Sequence, residues 1–249
     1  MSINSKKHEI NTDRDEVGIV RMVISDLELA KARDGYWPVK LFTNRGTVEY
    51  RYYFAVGSTS SVILSGDVAG PDGDDKENGW HTPGKGKLYP RLGTELAKRG
   101  ISALWVKYRH PTDLVESVLD VLGGALFLKS QDISLGGIVG HSFGGAVAFQ
   151  SAVALDDKMA VVSLSSQSYG AEAAAGLKHG SSVLFIHGFD DEILPITSSL
   201  RIHALARGHK ELIFCDRTNH NLDQAADEVF VTVHQWLVRE LKPAVAGKE

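Results

Sequence analysis

From Ser61 onward the chain alternates short apolar runs with longer stretches of mixed character, the pattern of a parallel sheet whose strands are joined by crossover helices. The runs are Ser61 to Ser65, Ser102 to Tyr108, Ile133 to Gly140, Ala160 to Ser165, Ser182 to His187 and Glu211 to Cys215. Between them the spacing predicts helices over Leu88 to Arg99, Thr112 to Lys129, Phe143 to Leu155, Thr197 to Arg207 and Asp223 to Leu241. Upstream, Val39 to Thr43 and Thr47 to Val56 alternate apolar and polar positions about the turn Asn44-Arg45-Gly46, as the two strands of a hairpin do. Two antiparallel strands followed by six buried ones predict a mostly parallel eight-stranded α/β sheet with helices on both faces. Residues 1–18 are polar and mixed in charge, so they read as a flexible arm, with 19–249 forming one domain.

One connection, Gly66 to Lys87, is long enough to be functional by the usual statistics of loops. Its motif-like stretches point to no metal or cofactor. Gly79 to Gly86 nearly spells a phosphate-binding loop, but Gly86 stands where Mg²⁺ needs Ser or Thr, and an acidic loop precedes it instead of a strand. The acids Asp72, Asp74, Asp75 and Glu77 resemble a Ca²⁺ loop only until Lys76, which occupies a position where a ligand is required.

The sharpest chemical signal is Gly140-His141-Ser142-Phe143-Gly144, a G-x-S-x-G pattern. Chance alone gives roughly 0.2 such matches in a chain of this composition, so its surroundings decide. An apolar run, ISLGGIVG, precedes it and a helix apolar on nearly every side, FGGAVAFQSAVAL, follows, which makes a sharp strand-to-helix turn with Ser142 at its tip. Such a turn exposes the hydroxyl at the C-terminal edge of the sheet and aims the first N–H groups of the helix, that of Phe143 foremost, at a developing oxyanion. A serine hydroxyl also needs a base and a group to orient that base. The loop after Val183 to Gly188 offers Asp190, Asp191 and Glu192, and the loop after the last predicted strand carries His220. Loops following three parallel strands converge on one edge of an open α/β sheet.

In these three motifs, and over about Val39 to Leu241, the chain resembles the α/β-hydrolase family, most closely its small cytoplasmic esterases and its dienelactone-hydrolase-like branch. GHSFGG is similar to the family's nucleophile turn, HGFDDEILP to its acid loop and NHNL to its histidine loop. The resemblance assigns Ser142 as nucleophile, Asp191, three positions after His187-Gly188, as orienting acid, and His220 as base. It differs from dienelactone hydrolases proper in having Ser142 where those use cysteine; the single Cys215 sits at a strand end. The resemblance also implies a second oxyanion donor after the strand Ser61 to Ser65, the N–H of Asp67 or of Val68.

Around this edge stand several candidates for contact with substrate: Arg109 for a carboxylate, Trp80 as a cover, and Gln167 and Tyr169 after the Ala160 to Ser165 run. Arg109 also suits a structural role, paired with a loop acid or carbonyls. His187 reads as buried packing. Only about 16 residues, Ser166 to Ser181, separate two predicted strands at the place where larger members of the family insert a helical cap, so none is expected.

Composition narrows the partners. With 27 basic and 31 acidic residues the net charge is −4, which provides no attractive field for nucleic acid or for an anionic membrane. One cysteine makes no internal disulfide, and no Cys/His spacing suggests zinc. The first residues lack the apolar core of a signal peptide, so a cytoplasmic protein is expected. The resulting expectation is a cofactor-free serine hydrolase acting on a small carboxylic ester or thioester through Ser142, His220 and Asp191. The alternatives are a peptidase or acyltransferase on the same residues, or a ligand receptor of the same fold with slow turnover.

Overall fold

The computed structural model describes residues 8–12, 20–66 and 80–241. Ten strands form one sheet: β1 (His8–Thr12), β2 (Val20–Leu29), β3 (Trp37–Thr43), β4 (Gly46–Tyr53), β5 (Ser60–Ser65), β6 (Ile101–Lys107), β7 (Ser134–His141), β8 (Ala160–Leu164), β9 (Ser182–Gly188) and β10 (His209–Cys215). Their order is β1-β2-β3-β4-β6-β5-β7-β8-β9-β10. Pairing is antiparallel from β1 through the β4–β6 pair and parallel from β6 to β10.

The sheet thus has two strands more than the eight expected from the sequence, both at its N-terminal end. β2 was hidden by a bulge between Ile24 and Asp26. Met22 and Ile24 keep one alternation, and Leu27 and Leu29 resume it out of phase, so no single period of two runs through the strand. β1 lies inside the segment read as a flexible arm and pairs with Val20 to Ile24 along the sheet edge. An edge strand needs backbone partners more than apolar side chains, so composition carries no signal for it.

The helices are α1 (Pro83–Gly86), a single turn, then α2 (Leu88–Ala97), α3 (Leu114–Ser130), α4 (Phe143–Leu155), α5 (Thr197–Leu205) and α6 (Ala226–Glu240). Each of the last five lies within a predicted stretch or within a residue of it. Asp113 sets the start of α3 by accepting a hydrogen bond from the Glu116 N–H (3.0 Å), which satisfies one of the helix's orphan donors. Successive residues of the parallel strands point to opposite faces, and both faces are covered. Ile63, Leu104, Ile138 and Val161 join α3 and α4 in one core, while Val62, Leu64, Val139 and Val162 join α2 and α6 in the other. Between β8 and β9 only a 3₁₀ turn, Ala171–Gly176, is inserted, so no cap domain stands there. Among the described residues no helix is long and apolar enough to cross a membrane.

Candidate active site

Ser142 follows β7 directly and is the N-cap of α4. Its backbone sits at φ 55°, ψ −117°, a region an L-residue occupies only under constraint. Glycines on either side supply that constraint. A Cβ at Gly140 would overlap the Gly144 carbonyl, and one at Gly144 would overlap the carbonyls of Ser65 and Gly66. The end of β5 is therefore pressed against the first turn of α4. The Ser142 N–H donates to the Leu164 carbonyl (2.9 Å), while its own carbonyl accepts from the N–H groups of Gly145 (3.1 Å) and Gln167 (3.3 Å). The turn is thereby tied to the end of β8 and to the loop that follows it.

Asp191 and His220 stand on the loops after β9 and β10, adjacent strands in parallel register up to Cys215 and Gly188. His220 Nδ1 is 2.8 Å from Asp191 Oδ2, and both side chains are almost wholly buried. The main chain of His220 is held too. Its N–H donates to Glu192 Oε2 (3.1 Å), and its carbonyl is 3.0 Å from His141 Nε2, the residue just before Ser142. The His141 and His220 rings lie 4.9 Å apart, so the histidine loop rests on the serine turn itself.

Asp191 is densely solvated by protein. Its Oδ1 accepts from the N–H groups of Ile193 (2.9 Å) and Leu194 (2.7 Å), and its Oδ2 faces Nε2 of His187 at 3.0 Å as well as His220. Burial would raise this carboxyl, but the hydrogen bonds from His187, His220 and Leu194, with the nearby His220 charge, outweigh it and hold the group well below the usual carboxylate range. It stays ionised. His187 was read as buried packing; it is buried, and it is also a direct partner of Asp191. The only sequence signal was its place beside the acid loop, in His187-Gly188.

The remaining candidates divide. Phe143 opens α4, where the first helical N–H groups have no partner within the helix, and its ring packs edge-on to Tyr108. Asp67 and Val68 lie outside the described residues. Gln167 adjoins the serine turn through its N–H, and its side-chain amide donates to the Tyr169 carbonyl (2.8 Å). Tyr169 is exposed.

Two further candidates, Arg109 and Trp80, have contacts of their own in the fold. Arg109 is buried, with Nε 2.5 Å from Asp120 Oδ1, Nη2 2.9 Å from Glu116 Oε2 and Nη1 donating to the Arg45 carbonyl (2.7 Å). All three guanidinium nitrogens thus bond to α3 or to the β3–β4 turn, which accounts for this side chain by packing. Trp80 packs edge-on to Trp105 at 5.0 Å with the Arg51 guanidinium 4.3 Å over its ring. It borders a cavity of about 360 Å³ lined also by Tyr36, Lys40, Glu49 and Lys107, on the α2 and α6 side of the sheet. The indole is thus packed against Trp105 and Arg51 and borders this cavity. Among the described residues no group of His, Cys, Asp and Glu is arranged to hold a metal ion.

Comparison with solved structures decides the fold. A dienelactone hydrolase from Anabaena variabilis superposes with a TM-score of 0.66 at 18% identity, over 83% of this chain and 98% of that one. An α/β serine hydrolase without lid from Xanthomonas campestris gives 0.68 at 15% identity, over 86% and 98%. The chain has the α/β-hydrolase fold. The esterase domain of a Rhodothermus marinus protein matches at 0.59 with 16% identity, over 86% and 99%. No protein-family model and no curated protein matches the chain.

Proposed function

We propose that this protein is a serine hydrolase that cleaves small carboxylic esters or thioesters through an acyl-enzyme. The observation that carries the reading is the juxtaposition at one sheet edge. A serine in a strained turn begins α4, and an Asp191–His220 pair, bonded at 2.8 Å, is held against that turn through His141. The superposed hydrolases support the same reaction class.

In this mechanism the Nδ1 side of His220 is taken by Asp191, so Nε2 is the base. It removes the Ser142 proton as Oγ attacks the carbonyl carbon, and the N–H groups at the start of α4 receive the oxyanion. His220 then returns the proton to the departing alkoxide or thiolate. Water, deprotonated by the same nitrogen, attacks the acyl-enzyme and releases the acid. Asp191 remains ionised throughout and stabilises the imidazolium.

The test is a turnover screen over aryl esters and thioesters combined with a fluorophosphonate label. Ser142→Ala is expected to abolish labelling and to lower kcat by about 10⁴- to 10⁶-fold with unchanged circular dichroism. Retention of most activity by that variant would exclude the mechanism.

A further inference from the structure

The orienting acid has a second imidazole on it. His187 is fully buried in β9, and each of its ring nitrogens has a partner from a different element. Nε2 lies 3.0 Å from Asp191 Oδ2 and 3.0 Å from the Leu194 carbonyl; Nδ1 lies 2.7 Å from Ser199 Oγ on α5. Both atoms facing Nε2 are acceptors, so this nitrogen carries the proton and donates. Ser199 holds the opposite edge of the ring. A chain of hydrogen bonds thus runs from α5 through His187 and Asp191 to His220, and Asp191 Oδ2 takes an N–H from each histidine.

We propose that His187 is a positioning residue for the acyl transfer described above: its Nε2–H fixes the Asp191 carboxylate in the plane that orients His220 and draws off part of the carboxylate's charge. The inference rests on that reading of Ser142, Asp191 and His220. Apart from the two histidines, the Asp191 carboxylate is held at Oδ1, by the N–H groups of Ile193 and Leu194, about which it is able to rock. His187 supplies the anchor at the oxygen that matters for His220. His220 meets Asp191 at its imidazole, Glu192 at its N–H and His141 at its carbonyl and ring, and its link to His187 runs through Asp191.

Two amides separate the roles of the ring nitrogens. In His187→Gln the side-chain N–H₂ reaches the place of Nε2 and keeps the donor to Asp191; in His187→Asn it falls near Nδ1 and keeps only the Ser199 contact. His187→Leu keeps neither. The Asn and Leu variants are expected to lower kcat by about 10²-fold with KM little changed, the cost of a misplaced catalytic group. Their acid limb of kcat/KM should move up by about half a pH unit, because a carboxylate that has lost a donor favours the imidazolium more strongly. Gln should restore both rate and limb. A role in packing alone would lower thermal stability in all three and leave the limb in place.

A second readout needs no turnover. In Ser142→Ala protein, the downfield proton resonance of His220 Nδ1–H should shift in the Asn and Leu variants and hold its place in the Gln variant. Wild-type protein with Ser142-dependent turnover, together with His187 variants whose kcat, acid limb and resonance are all unmoved, would overturn the positioning role and leave the serine mechanism standing. Wild-type protein with no Ser142-dependent turnover would overturn both, and this is seen before any His187 variant is made.

Discussion

Asp190 and Asp191 share a loop, but Asp190 projects into solvent while the Asp191 side chain is buried under two backbone and two imidazole donors. Asn at 191 would turn one acceptor into a donor facing N–H groups and favour the wrong tautomer of His220. Asp191→Asn is expected to lower kcat by about 10⁴-fold and Asp190→Asn by no more than a few-fold, in the same ester assay. The reverse order would transfer the role. The hydrogen bonds that hold Asp191 below the usual range also set a pH dependence. Its stabilising contribution is whole above the ordinary Asp value near 3.9 and is lost as pH falls below it. Between neutrality and about pH 4 the acid limb of kcat/KM should therefore have a single inflection, from His220; a second one there would show that Asp191 takes a proton earlier. At this scale the loops carrying Ser142, Asp191 and His220 were legible because each follows a strongly apolar strand. The second histidine on the acid was not, since a buried imidazole in a strand looks the same in sequence whether it bonds a carboxylate or only packs.

Among the elements, α3 and the β3–β4 hairpin are joined by ion pairs instead of apolar contact alone. Arg109 bridges Asp120 and Glu116, and Arg45 adds a second guanidinium on Glu116. Burial pushes the Asp120 carboxyl up to about 6 in spite of Arg109 beside it. Removing the guanidinium would strand a buried charge. Arg109→Met is expected to cost about 3–5 kcal/mol in urea unfolding near neutral pH, with the KM of the remaining folded enzyme little changed. The deficit should be smaller at about pH 5, where Asp120 escapes by taking a proton. A raised KM without loss of stability would instead return Arg109 to the substrate site. Sequence reasoning put Arg109 at the right edge of the sheet and left its direction open, because the acids that claim it come from a helix a turn or more away. The same limit hid β2, whose alternation changes phase at the bulge after Ile24.

At the scale of the whole molecule, the connection from β8 to β9 holds only a 3₁₀ turn among the described residues and so supplies little apolar surface to line a long acyl channel. Each further CH₂ beyond a short chain then has nowhere to gain the usual ~0.8 kcal/mol of burial. With p-nitrophenyl esters from C2 to C16, held below their aggregation limits, kcat/KM is expected to peak at short acyl chains. An optimum at C10 or longer would contradict this view of the cleft.

β10, whose following loop carries His220, is the outermost strand at its end of the sheet and, among the described residues, pairs with β9 alone. Its other tethers are Trp236 and Arg239 of α6 on Glu211, Lys210 on the carbonyls of His203 and Ala206 at the end of α5, and the Phe189 N–H on the Cys215 carbonyl. Strands with one neighbour open by local fluctuations at less cost than unfolding the whole core, so the proposed base, His220, follows one of the two edge strands of the sheet, which fray before its centre. In a urea titration, catalysis should consequently fade at lower denaturant than the far-ultraviolet signal of the sheet and helices, and hydrogen exchange should find the amides of β10 less protected than those of β5 and β7.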